Sequence, residues 1–258
     1  MDIEPLYSIA GVLVGLLVGL TGVGGGSLMT PILVLAFGFH PATAVGTDLL
    51  YASATKLVGT GVHGWRGTVD WRVVRRLATG SVPATLLTLG GLSLAKLRAE
   101  DTGHLIAAVL GVALILTGIA TLFRGTIVDR LIGTFRGFED RRIAGLTILL
   151  GAVLGSLVTL TSVGAGALGM TALLVLYPRF PVAKLVGSDI AHAVPLTLIA
   201  GLGHWAIGSV DFGLLLSLLI GSVPGIIVGS LLASHAPDRV LTPILAVTLT
   251  IVGGKLLL

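Results

Sequence analysis

Two glycine-rich runs with hydroxyl side chains interrupt long apolar stretches: Thr21-Gly22-Val23-Gly24-Gly25-Gly26 and Thr161-Ser162-Val163-Gly164-Ala165-Gly166. A helix that starts at such a run presents unpaired backbone N–H groups and the positive end of its dipole, and together these attract anions. Neither run continues into the Gly-Lys-Ser/Thr of a phosphate-binding loop, and flanks of membrane length do not suit a dinucleotide fingerprint. Small-residue helix packing explains one such run well enough. Two runs in matching places, each with an adjacent hydroxyl, point instead to a substrate site made of these twelve residues.

The remaining chemistry-bearing residues sit inside apolar segments. Asp48 and Asp189 lie well within theirs, and an acid inside a membrane helix is costly and usually functional. His192 follows Asp189 by three residues and can share its helix face; Tyr51 holds the matching place after Asp48. Lys56 lies deep in the Asp48 segment, where its counterpart is Thr197. These residues, with His63 and His204 near segment ends, are the candidates for proton coupling or gating. A structural reading stands beside this one: the acids cap a neighbouring helix start or pair with Lys56, and the two histidines are interfacial. Asp70 and Asp211 read as N-caps, Lys184 as a snorkelling lysine, and Pro83, Pro195 and Pro224 as helix kinks.

The elements that must position these residues follow from composition. Of 258 residues 54% are hydrophobic and 11% charged, with mean hydropathy +1.05; a soluble domain carries about 25% charge. The chain is therefore read as an all-α polytopic membrane protein. Glycine, at 38 residues, suits close helix packing in lipid. With no cysteine there are no disulfides or thiolate metal sites, and no cofactor or metal is expected. The acidic start Met1-Asp2-Ile3-Glu4-Pro5 lacks the basic region of a secretory signal, so the first apolar stretch is expected to be retained.

The chain is also duplicated. Val45-Gly46-Thr47-Asp48 returns as Val186-Gly187-Ser188-Asp189, His63 and Gly67–Asp70 as His204 and Gly208–Asp211, and Gly80-Ser81-Val82-Pro83 unchanged as Gly221-Ser222-Val223-Pro224. The offset is 140 from Thr21 to Thr161 and 141 from Asp48 to Asp189, which places one inserted residue near Pro178. Helices are expected over 6–21, 25–37, 42–63, 73–94 and 102–123, then 142–160, 164–177, 182–207, 212–233 and 238–257. The first two of each half are short. They form either two short spans or a re-entrant hairpin, and both return the chain to the side it left. Three full transmembrane helices follow in each half.

Charge sets orientation. The loop after the third segment carries Arg66, Arg72, Arg75 and Arg76, whereas its counterpart from Trp205 to Leu214 has Asp211 and no cation. The positive-inside rule puts the first in the cytoplasm and the second outside, and it also places Arg124, Arg130, Arg136, Arg141, Arg142, Arg179 and Arg239 inside. Equivalent loops on opposite sides define an inverted-topology repeat, an architecture of secondary transporters. The expected organisation is an N-terminal repeat over 1–123, a cytoplasmic linker over 124–141 and a C-terminal repeat over 142–258. The setting is the cell membrane, with the N-terminus external.

Thr21-Gly-Val-Gly-Gly-Gly26, Gly46-Thr47, His63 with Gly67-x-Val69-Asp70-Trp71, and Gly80-Ser81-x-Pro83 together resemble the sulfite exporter TauE/SafE family of membrane permeases, over nearly the whole chain. The resemblance implies export of small sulfur-containing anions such as sulfite or organosulfonates. It departs at Asp48 and Asp189, where the family's residue after Gly-Thr/Ser is small or an amide. The expected partners are a small inorganic or organosulfur anion and the lipid bilayer, with no nucleic acid; self-association into a homo-oligomer stays open. A passive anion channel shares every feature of the transporter reading. An intramembrane enzyme is the weaker alternative, since no His-Glu-x-x-His or Gly-x-Ser-x-Gly occurs.

Overall fold

The computed structural model describes residues 4–21, 26–94, 99–135, 137–232 and 238–258; for 18–21, 26, 62, 99–102, 229–232 and 238–241 only the backbone is described. The described residues form helices and no strands. In chain order they are α1 (Pro5–Thr21), α2 (Gly26–Leu35), α3 (Pro41–Trp65), α4 (Trp71–Leu94), α5 (Ala99–Leu122), α6 (Arg124–Leu131), α7 (Asp140–Thr161), α8 (Ala167–Leu176), α9 (Val182–Ala206), α10 (Phe212–Leu232) and α11 (Asp238–Leu257). Four are long and apolar enough to cross a bilayer: Trp71–Leu94, Gly103–Leu122, Asp140–Thr161 and Val182–Ala206.

Local chemistry sets the boundaries. Asp70 Oδ1 accepts from the N–H groups of Arg72 (3.0 Å) and Val73 (3.4 Å), and Asp211 Oδ1 from Leu214 N–H (2.9 Å), so both cap the helices they precede. Pro41 opens α3 at the position where a missing N–H costs nothing. Two expectations need correcting. The linker is not plain loop, because Arg124–Leu131 forms α6. Nor is the first helix of the second half short: α7 runs 22 residues, from Asp140, whose charge suits a helix start, to a left-handed cap at Ser162.

The two helix pairs fold back on themselves. Tyr7, near the start of α1, packs edge-on against Phe37 and Phe39 just past α2, with ring centroids 5.1 and 5.5 Å apart. Thr147, near the start of α7, bonds Tyr177 OH just past α8 at 2.8 Å. Tyr7 and Thr147, like Phe37 and Tyr177, are 140 positions apart in the repeat. Each pair therefore ends beside its own beginning.

Helix packing exchanges the halves. α1 lies along α10 and α7 along α4, α3 crosses α9, and α5 crosses α11. A Cβ on Gly80 would collide with the Ile148 carbonyl, and one on Gly221 with that of Ser8, so these glycines bring backbones into direct contact. Gly46 abuts Ser209 and His204, Gly201 abuts Leu50, Gly59 abuts Ile190 and Gly187 abuts Thr68 and His63. α3 and α9 thus run antiparallel. α5 and α11 do too, with Gly111 on Gly253 and Leu257, and Gly118 on Ala246 and Thr250. One hydrogen bond ties each loop to the other half: Asp70 N–H to Ser188 Oγ (2.8 Å) and Asp211 N–H to Thr47 Oγ1 (3.0 Å). Outward-facing Leu86, Leu87, Leu149, Val153, Ile220, Ile227 and Ile251 give the bundle an apolar exterior.

Candidate functional site

The second glycine-rich run is the connection between α7 and α8. Ser162 takes φ 59°, which an L side chain tolerates at a cost, and Gly164 and Gly166 take φ 119° and 126°, which favour glycine. The chain so reverses within five residues. The first amide bonds of α8 run from Gly169 N–H to Gly164 O (3.1 Å) and from Met170 N–H to Gly166 O (3.0 Å). Ala167 and Leu168 are left with their N–H groups at the open helix start. Thr161 Oγ1 is committed to the backbone, donating to Leu157 O (2.7 Å) and accepting from Val163 N–H (3.1 Å). Ser162 Oγ is instead buried with no partner among the described residues. Of the two hydroxyls in this run, Ser162 is the one not committed to its own backbone, and it faces the Asp48 carboxylate. Val163 is fully buried, and Ala165 packs on the cluster around Val45 and Leu196. In the first run, Thr21 ends α1 and Gly26 opens α2; Gly22, Val23, Gly24 and Gly25 lie outside the described residues.

This turn lies between the two buried acids. Asp48, fully buried, accepts a hydrogen bond from Thr30 Oγ1 of α2, and Ser162 stands beside it. Asp189 backs onto Gly169 of α8, where a Cβ would come within 2.8 Å of its Oδ1. Both acids are eighth in their helices, but α3 and α9 are antiparallel. Because Gly59 abuts Ile190, Asp189 is level with a point roughly 11 residues beyond Asp48 on α3, about 16 Å along the helix. They form two separate sites rather than a pair. Asp48 Oδ1, Asp189 Oδ1, His192 Nδ1 and Tyr51 OH are buried without hydrogen-bond partners among the described residues.

Lys56 makes no close ion pair with Asp48; it lies between the carboxylates and acts electrostatically on both. Sequence reasoning missed a second cation. Arg124, at the start of α6, acts on Asp189 from the linker side, and its Nε is buried without a hydrogen-bond partner among the described residues. Nothing in its local sequence sets it apart from the exposed linker arginines, and only the return of α6 against α8 brings it inward.

The histidines divide by role. His192 Nε2 bonds Ser81 Oγ of α4 at 2.8 Å. His204 is buried, not interfacial, with Nε2 bonded to Thr159 O at 2.9 Å, because the close α3–α9 crossing draws it inside. His63 is half-buried at the end of α3, with Nδ1 2.9 Å from Thr68 Oγ1, and stays at the rim. Lys184 does more than snorkel: its Nζ is 3.5 Å from Asp70 Oδ2 and lies over the Phe180 ring. Burial works against the charge of Asp70. The amides of Arg72 and Val73, with the cations of Arg72 and Lys184, outweigh it and hold the carboxyl below its ordinary range.

Apolar packing closes this polar band on both sides. Val73, Leu77, Leu173 and Leu185 form one buried cluster below Ser81, His192 and Asp189. Their repeat counterparts Leu214, Leu218, Leu33 and Ala44 belong to another cluster at the Asp48 end. Buried polar atoms thus lie in a band between two apolar clusters.

Comparison with known proteins identifies the family. Residues 7–256 match the family model described as Sulfite exporter TauE/SafE. The chain is 40% identical over 251 residues to the "Probable membrane transporter protein YjnA" of Bacillus subtilis (strain 168), covering 96% of this chain and 97% of that one. It is 29% identical over 232 residues to a "Probable membrane transporter protein" of Xylella fastidiosa (strain 9a5c), covering 88% and 83%. No solved structure matches. These names are those of membrane transporters rather than enzymes. The chain belongs to the TauE/SafE family of membrane transporters, a family whose model spans all but the ends of its sequence.

Proposed function

We propose that this protein exports small sulfur-containing anions, such as sulfite or organosulfonates, across the cell membrane by alternating access between two inverted halves. The anion is held at the two glycine-rich helix breaks. The observation that carries this reading is the open start of α8 beside the unpartnered Ser162 hydroxyl, enclosed between two apolar clusters. Amides at a helix start favour an anion without needing a side-chain cation. The antiparallel course of α3 and α9, and of α5 and α11, supports opposite orientations of the halves, because equivalent helices then cross the bilayer in opposite senses.

The two carboxylates constrain the mechanism. An anion shares this compartment with Asp48 and Asp189 only when their charge is offset by Lys56 and Arg124 or removed by protons. In this reading Lys56 is the counter-charge as the anion passes from the Asp189 end to the Asp48 end, and protonation of the acids couples passage to the proton gradient. The test is counterflow into proteoliposomes with sulfite, sulfate, thiosulfate and methanesulfonate. Saturable exchange of sulfite or the sulfonate is expected. An ohmic current without exchange would replace the transporter with a channel, and chemical conversion without flux would replace it with an enzyme.

A further inference from the structure

At the cytoplasmic end assigned by the charge bias, a cavity of about 330 Å³ opens between the starts of α4 and α7, the end of α8, Phe135 and Phe138. Three guanidiniums line it, and they differ in commitment. Arg76 is anchored by an ion pair with Asp140 and a 3.3 Å bond to Tyr177 OH. Arg72 is largely exposed and only 3.6 Å from Asp70, which it shares with Lys184. Arg179 has no acidic partner among the described residues. Among the described residues that line the cavity, three guanidiniums face two carboxylates, and the one without an acidic partner is Arg179.

The opposite wall is aromatic. Phe135 and Phe138 meet edge-on at 5.3 Å, and Phe180 packs on Tyr177. Arg142 and Lys184 lie over the rings of Phe138 and Phe180. The positive-inside bias accounts for arginines at this end but not for the four aromatic side chains, Phe135, Phe138, Tyr177 and Phe180, that line the same cavity. The duplicated half keeps aromatics at the equivalent end, Tyr7, Phe37 and Phe39, but not the cations: the counterparts of Arg72, Arg76 and Arg179 are Gly213, Ser217 and Phe39. The cations beside these aromatics are therefore particular to one end.

We propose that the cavity binds an amphipathic organic anion, with a sulfonate or carboxylate head on Arg179 and Arg72 and an apolar body against Phe135, Phe138 and Phe180. Its volume is at the lower end of the roughly 300–1,000 Å³ usual for small-molecule sites. A bare oxyanion such as sulfite has no body to cover the aromatic wall. The leucine seal of Leu77, Leu173 and Leu185 separates the cavity from Asp189, so it is a loading point rather than the compartment itself. That role as a loading point rests on the transport reading; the binding does not.

The experiment is calorimetric titration of the purified full-length protein with benzenesulfonate and with sulfite. Benzenesulfonate is expected to bind, with Arg179→Ala weakening it about tenfold, the loss of one charge-assisted contact, and Arg179→Lys restoring part. Phe138→Ala is expected to weaken benzenesulfonate severalfold and leave sulfite unchanged. Parent-like titration of benzenesulfonate by both alanine variants would overturn the proposal, as would equal losses for the two ligands. Sulfite counterflow in the same preparation separates this from the transport reading. Benzenesulfonate binding without any counterflow contradicts transport and leaves the pocket standing, whereas counterflow with no benzenesulfonate binding contradicts the pocket alone.

Discussion

Thr30 Oγ1 donates to the buried carboxylate of Asp48, a tie between α2 and α3 that the second half cannot repeat because Met170 stands in the place of Thr30. Asp189 has instead Gly169 at its back and Lys56 and Arg124 within electrostatic reach. The two acids are equivalent in sequence and different in surroundings. Thr30→Val leaves Asp48 with one bond fewer in a buried position and should cost about 1–3 kcal/mol. Thermal unfolding of the purified protein reads this, with Thr30→Ser close to the parent. Asp48→Asn and Asp189→Asn should each weaken the pH dependence of transport; a profile unchanged from the parent in both variants would return these residues to a structural role.

Helix contacts through glycine give a second prediction. Gly80 meets the backbone of Ile148, whereas nothing lies within 4 Å of the space beside Gly90 on the same helix. Gly80→Leu should therefore separate α4 from α7, with a loss of about 1–3 kcal/mol or outright failure to give a monodisperse peak. Gly90→Leu should behave as the parent. Size-exclusion chromatography and melting temperature distinguish the two, and equal behaviour would contradict the close α4–α7 approach.

Asp70 provides a pH signature outside the spans. Its carboxyl is held below the usual range by the N–H groups and cations around it despite burial. A depressed folded-state value stabilises the protein above the unfolded value of about 3.9 and is lost as pH falls through the folded value. Asp70→Asn should lower the melting temperature by a constant amount between pH 5 and pH 8 (about 0.5–2 kcal/mol for a lost cap). The gap to the parent should close below about pH 4. A gap that widens in acid would reverse the sign of this argument.

Much of this architecture was legible in the residues. The repeated Gly80-Ser81-Val82-Pro83 and Gly221-Ser222-Val223-Pro224 mark the two helices that pack on α7 and α1, and Asp70 and Asp211 announced their caps. The helix segments were placed within a few residues, since apolar length and glycine breaks are local signals. What escaped notice depends on distant parts of the chain. Thr30 is 18 residues from Asp48 and is matched to it only by the angle between α2 and α3. Arg124 resembled any linker arginine until α6 folded against α8. The separation of Asp48 from Asp189 follows from the antiparallel α3–α9 register, which no motif encodes. The commitment of Thr161 to its own helix end, which leaves Ser162 as the hydroxyl that faces Asp48, depends on a left-handed residue that the sequence does not flag.

Orientation in the membrane has a direct check. Arg66 and Ile207 are exposed repeat counterparts at the ends of α3 and α9. Because the chain has no cysteine of its own, Arg66→Cys and Ile207→Cys can each be labelled singly with an impermeant maleimide in intact cells. Ile207→Cys should label from outside and Arg66→Cys only after the cells are opened. Labelling of both from one side would remove the inverted arrangement.

The central claim is that an anion crosses through the compartment at the start of α8, and Ser162→Ala tests it most directly. Ser162 Oγ faces the Asp48 carboxylate without a hydrogen bond of ordinary geometry, so its removal should change the melting temperature little. If the hydroxyl serves the anion, sulfite counterflow into proteoliposomes should lose about tenfold in apparent affinity, the cost of one charge-assisted bond. The predicted result is a stable, monodisperse Ser162→Ala protein with a parent-like maximal rate and a weakened half-saturation for sulfite. Counterflow with the parent's half-saturation in this variant, or no sulfite counterflow by the parent, would contradict the account.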